Sequence, residues 1–189
     1  MKKIHTVFMI CCRKMAKMCY NYEIRFVTII SQRMVLEAKD MAKEASIEIN
    51  CQRYSDRISE VIELLDIVGW SFFDEDENVE YLPLGDRGDY NWQMGETLTE
   101  GEVYSLIGRK QEHGEMVGVV MYYHDTDIGI TLLAESTASI MIMLNINRKT
   151  VGEDFYEITD IGWYTEHIVH KLIRNGCPVD FFQYEEIEG

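Results

Sequence analysis

Apolar residues recur at two different periods along this chain, and those periods divide it into helices and strands. From Gln32 to about Ile49 the residues Met34, Val35, Ala38, Met41, Ala42, Ala45 and Ile49 fall three and four apart behind Ser31. That spacing predicts an amphipathic helix with a serine N-cap. Ser55 precedes a second run, Ile58, Val61, Ile62, Leu65 and Val68, which Gly69 is suited to stop in the left-handed region. A third helix is expected from Thr99, where Glu102 completes a capping box ahead of Val103, Leu106 and Ile107, and it should end by Gly114. The fourth is capped by Thr159, with Ile161, Tyr164, Ile168 and Leu172 as its buried stripe and Gly176-Cys177-Pro178 as its terminator.

Period-two and continuous apolar runs come mostly later. Met116–His124, Ile128–Ala134 and Ile140–Asn147 are rich in β-branched, aromatic and aliphatic residues and are separated by Asp125-Thr126-Asp127 and by Glu135–Ser139. Turn chemistry at both breaks predicts an antiparallel meander. Tyr22–Ile30, Trp70–Phe73 and Val179–Tyr184 are further candidate strands. Together these elements predict an α+β fold: a single mixed, largely antiparallel sheet with helices packed mainly on one face.

The chain has 189 residues, a length at which one domain with a sizeable core is the expectation. We assign residues 1–22 to a basic N-terminal arm and residues 23–189 to a single α+β domain. The arm carries Lys2, Lys3, Arg13, Lys14 and Lys17 with no acid, and it reads as a disordered tail, as a segment packing on a partner subunit or as an extension upstream of a start such as Met18. Its apolar stretch stops at Arg13-Lys14 with no small-residue cleavage site, so no secretory signal is expected. No run approaches the roughly 20 apolar residues of a membrane span. The five cysteines, Cys11, Cys12, Cys19, Cys51 and Cys177, are odd in number and irregularly spaced. They fit neither a disulfide framework nor paired zinc-ligand spacing, and they point to a reducing, cytoplasmic setting with no cofactor.

Charge changes the picture most. The formal net charge is -15, and residues 51–189 hold nine basic residues against twenty-eight acids. Such a body repels nucleic acid and anionic membrane and attracts basic partners. The densest negative stretch is Asp74-Glu75-Asp76-Glu77, with Glu80, Asp86 and Asp89 nearby and Tyr81, Tyr90 and Trp92 interleaved. Alone it would be a solvated loop between two strands. The aromatic residues add anchors that can be desolvated against a partner, so Asp74, Glu75, Asp76, Glu77, Glu80, Tyr81, Asp89, Tyr90 and Trp92 are the candidate contacts with a protein rich in Lys and Arg.

Two constellations admit an enzymatic alternative. Trp163, His167, His170 and Arg174 share one side of the fourth helix with Glu166 beside them, an arrangement open to a metal pair or to a general base. Asp125 and Asp127 have the Asp-x-Asp spacing that holds a divalent cation in glycosyltransferases, in a turn where Asp is also favoured for backbone bonding. Phosphate-cradling glycine motifs, the nucleophile elbow and the His-Glu-x-x-His zinc motif are all missing from the sequence.

Residues 98–189 carry Leu98-Thr99-Glu100, Val117-Gly118-Val119, Asp127-Ile128-Gly129, Asn145-Ile146-Asn147-Arg148-Lys149 and Thr159-Asp160-Ile161-Gly162-Trp163-Tyr164, followed by a Glu-rich closing strand. This half of the chain resembles small acidic immunity proteins of bacterial toxin–immunity systems. The resemblance implies a non-enzymatic protein that binds and neutralises a cognate toxin domain, and it transfers no binding residue by motif. A homodimer built through the N-terminal arm is the remaining alternative.

Overall fold

The computed structural model describes residues 44–86, 88–96, 98–152 and 158–187. The predicted arm, the candidate strand Tyr22–Ile30 and the cysteines Cys11, Cys12 and Cys19 lie outside them. Strand β1 (Glu44–Asn50) leads to helix α1 (Ile58–Ile67), then β2 (Trp70–Ser71), β3 (Val79–Tyr81) and β4 (Gln93–Gly95). Helix α2 (Glu100–Glu112) precedes the meander β5 (Val117–Tyr123), β6 (Gly129–Ser136) and β7 (Ser139–Ile146). The last helix, α3, is α-helical over Ile161–Tyr164, π-helical over Thr165–His170 and α-helical again over Lys171–Arg174, and β8 (Phe181–Ile187) follows.

The strands form one eight-stranded sheet in the order β4-β3-β5-β6-β7-β1-β8, with β2 also paired to β5. Every described pair is antiparallel, and the expected α+β architecture with a single, largely antiparallel sheet holds. Inward residues of β1, β5, β6 and β7, among them Ile47, Val119, Leu132 and Ile142, join Leu65, Ile107 and Ile168 of the three helices in one core. On the opposite face Leu82 crosses β5, and a Cβ at Gly118 would stand 2.5 Å from Leu82 Cδ1 and 3.1 Å from Trp92 Cη2. Glycine there lets the chain beyond β3 lie directly on the sheet.

Three local expectations are corrected. Glu44–Asn50 is a strand and not the end of a helix, because Ala45, Ile47 and Ile49 alternate inward with period two. A three-and-four spacing through Ala45 and Ile49 fits the same residues, and pairing with both β7 and β8 decides between the two readings. Helix α1 starts after Arg57 without a side-chain cap, since Ser55 Oγ instead accepts from Arg57 N. Asp160, not Thr159, caps α3 by accepting from Trp163 N, while Thr159 bonds Glu186 of β8.

Elsewhere local signals and structure coincide. Thr99 and Glu102 form both bonds of the capping box. Gly69, Gly114 and Gly176 end their helices at positive φ. Cys51 and Cys177 are buried free thiols in contact with each other, and that contact together with burial pushes the Cys51 thiol up. Among the described residues no helix is long and apolar enough to cross a membrane.

Candidate functional site

Strands β2 and β3 both pair with β5, through Trp70↔Tyr123, Ser71↔Tyr122 and Tyr81↔Val119. Those pairings set the acidic turn after β2 beside the hairpin that joins β5 to β6. Asp74 builds the first turn: its Oδ1 accepts from Asp76 N at 2.9 Å and Asn78 N at 2.8 Å, and a bridge between Phe73 and Val79 closes the loop. In the second turn Thr126 Oγ1 donates to Tyr123 O at 2.7 Å, and Asp125 adopts a φ of 60°. Asn147 at the end of β7 donates through Nδ2 to Asp127 O at 3.0 Å, fixing that hairpin from a third strand.

A cavity of about 730 Å³ opens between the two turns, lined by Ser71, Phe73, Asp74, Glu75, Asp76, Tyr122, Tyr123, His124, Asp125, Thr126, Asp127 and Asn147. Five acidic residues, Tyr122, Tyr123 and His124 thus line a single space, with Tyr122 and Tyr123, adjacent on β5, directed to opposite faces of the sheet. Burial, with Glu80 and Asp74 nearby, raises the Tyr122 phenol above its ordinary value and keeps it a neutral hydrogen-bonding group. Below Tyr123 lies a rigid aromatic base. Its ring stacks on His124 and meets Trp70, Trp163 and His167 edge-on at centroid distances of 5.0–5.3 Å. Lys171 donates to the Tyr123 hydroxyl at 2.9 Å, and the indole of Trp70 donates to His167 O of the π-helical segment at 3.0 Å.

The nine candidate contact residues divide between two places. Asp74, Glu75 and Asp76 line the cavity, together with Asp125 and Asp127 from the other turn, whereas Glu77, Glu80, Tyr81, Asp89, Tyr90 and Trp92 are outside its lining. Glu80 and Tyr81 belong to β3. Asp89, Tyr90 and Trp92 lie on the connection from β3 to β4, which Asp86 organises. The Asp86 carboxylate is buried and accepts from the backbone N–H groups of Gly88, Asp89, Tyr90 and Asn91 at 2.8–3.3 Å. Burial opposes its charged form, but these four donors outweigh it and hold the carboxyl below its usual value.

A second buried charge anchors the same connection. Lys110 is 1% exposed, and its Nζ donates to Pro83 O at 2.6 Å and pairs with Glu115 at 3.4 Å. Glu115 in turn accepts from Gly85 N at 2.8 Å. Asp86 is legible in the sequence only as one more acid of that region, and Lys110 and Glu115 not at all, because their partners include backbone groups reached only in the fold. Pro83, Gly85 and an aspartate ahead of Gly88 are the local marks of a turn.

The histidines are engaged locally. His167 Nδ1 lies 2.7 Å from Trp163 O, with its ring stacked on that indole. His170 contacts Glu166 at 2.8 Å, and Arg174 binds the same carboxylate. Arg174 first and His170 second lower the Glu166 carboxyl to about 2. Asp125 and Asp127 face the cavity, whose lining includes neither His167 nor His170. Among the described residues no group of three or more His, Cys, Asp or Glu side chains stands where it could hold one metal ion. The acidic residues lining the opening give it a negative field that attracts cationic groups. No family model, curated protein or solved structure matches this chain.

Proposed function

We propose that this chain is a non-enzymatic binding protein whose acidic cavity receives a basic segment of another protein, and that it serves as an immunity protein neutralising a cognate toxin domain. The observation that carries the reading is the meeting of Asp74, Glu75 and Asp76 with Asp125 and Asp127 around one aromatic-floored opening, from turns about fifty residues apart in sequence. Tyr122 offers a half-buried aromatic surface to a Lys or Arg side chain, whereas the Tyr123 ring is already taken by His124 and by Lys171, and the carboxylates steer the cation in. The asymmetric charge, with twenty-eight acids against nine basic residues over 51–189, supports a partner of opposite sign. The likeness of residues 98–189 to acidic immunity proteins supplies the toxin as that partner.

The test is co-expression with the product of the adjacent reading frame. If that product arrests growth, the wild-type chain restores it. The variant Asp76→Asn/Asp125→Asn/Asp127→Asn, which removes three of the five cavity carboxylates and alters only exposed positions, restores it less and associates several-fold more slowly at low salt. An adjacent product that is harmless or does not bind would remove the immunity reading. Equal protection by the variant would remove the cavity from it.

A further inference from the structure

The two edges of the sheet are built differently. At one end β4 is three residues long, and shortness limits what it can pair with. At the other, β8 runs seven residues in unbroken register with β1, from Glu44↔Ile187 to Asn50↔Phe181. Its second edge meets no strand among the described residues. Edge strands are ordinarily guarded by charged side chains, lysine above all, by prolines or by bulges. Phe181–Ile187 has two charges, Glu185 and Glu186, but no lysine, no proline and no register shift. It also exposes apolar side chains on both faces of the sheet: Phe181 is 45%, Phe182 40% and Ile187 51% exposed.

Register with β1 assigns the faces. Phe182, Tyr184 and Glu186 oppose the inward Ile49, Ile47 and Ala45, so Phe181, Gln183, Glu185 and Ile187 occupy the outer face. This order is self-complementary about Tyr184. Laid antiparallel on a second copy with the two-fold axis there, Phe181 opposes Ile187, Gln183 opposes Glu185, Phe182 opposes Glu186 and Tyr184 meets itself. Exposed apolar residues then cover one another, an amide faces a carboxylate, and no two acids stand opposite. Glu186 is already bonded to Tyr184 Oη at 2.6 Å and to Thr159, which leaves its methylenes for Phe182. Sliding one copy two residues toward the C-terminus sets Glu185 against its own counterpart, and sliding it the other way leaves Ile187 uncovered.

We propose that two copies of this chain join along β8, antiparallel and centred on Tyr184, to continue the sheet across a two-fold axis. The inference is independent of the cavity reading, and salt separates them. Each copy carries a net charge of -15, so screening strengthens self-association, whereas it weakens capture of a basic segment.

Sedimentation velocity of the full chain tests it at about 0.05 and 0.5 M NaCl, conditions whose screening lengths differ roughly threefold. A dimer whose dissociation constant falls as salt rises is expected. A monomer at both salts, or a dimer weakened by salt, overturns the proposal. In Phe181→Lys/Ile187→Lys two lysine pairs face each other across the axis and should raise the dissociation constant about tenfold or more. Phe181→Lys/Ile187→Glu pairs opposite charges in the same register and should restore it. A dimer indifferent to both variants overturns the register. Hydrogen exchange of the wild type over a dilution series is the second readout and needs no variant. The alternate amides of 181–187 that point away from β1 should slow as the dimer forms, and exchange there that does not depend on concentration contradicts the interface.

Discussion

Replacing Lys110 by Met removes a buried ammonium while keeping a side chain of similar length, and the consequence can be worked from its two contacts. The bond to Pro83 O at 2.6 Å is charge-assisted and closed to water, a class worth about 2 kcal/mol net. The pair with Glu115, whose side chain is 18% exposed, is not added to that figure, which is therefore a lower bound. A loss of about 2 kcal/mol corresponds to a fall in Tm of roughly 4–8 °C in a protein of this size. Acid should shrink the difference. Gly85 N–H first, and Lys110 after it, hold the Glu115 carboxyl below 4.5, so its contribution is complete above that value and is lost as pH falls through the folded value. Thermal melts of both proteins at pH 7 and at about pH 4 read both effects. Hydrogen exchange should also show amides 85–91 released in the variant. A variant that melts within about 1 °C of wild type at pH 7, or a gap that widens in acid, refutes the assigned role.

Three further substitutions have signs set by the structure. Tyr104 Oη is buried with no hydrogen-bond partner, so Tyr104→Phe should stabilise the fold by about 1 kcal/mol, seen as a higher urea midpoint, and a lower midpoint would mean the hydroxyl is satisfied. Gly118→Ala drives a methyl into the buried Leu82 and should cost about 1–3 kcal/mol in the same assay; unchanged stability would contradict the close approach. Trp92 packs over Gly118 while part of it reaches solvent, so Trp92→Ala should lower stability by about 2 kcal/mol besides any effect on a partner, and a variant as stable as wild type would make Trp92 a surface residue only.

What could be read from the chain was what local bonding fixes. The capping box at Thr99 and Glu102 and the turn at Asp125–Asp127 close over three or four residues, and both stand where their sequence puts them. The meander β5–β7 was legible because each strand is seven or eight residues long. Strands β3 and β4, at three residues each, are too short to show a period, and tertiary pairing makes them. The π-helical turn of α3 left no mark in the spacing of Tyr164, Ile168 and Leu172. For the site the division is the same. The acidity of residues 74–77 is visible locally, but their approach to Asp125 and Asp127 follows from β2 and β3 both choosing β5. Lys110 looks like a helix-surface charge, and only its bond to Pro83, twenty-seven residues away, shows it to be a core residue.

The central claim is that a basic segment is received at the cavity and not spread over the whole acidic surface. Titrating the isotope-labelled chain with a lysine-rich peptide, and following each backbone amide by NMR, tests this directly. The account predicts that shifts concentrate at residues 74–78, 122–127 and Asn147, diminish as salt is raised, and disappear in Asp76→Asn/Asp125→Asn/Asp127→Asn. Shifts distributed in proportion to surface acidity, or centred elsewhere and unaltered in that variant, would contradict it.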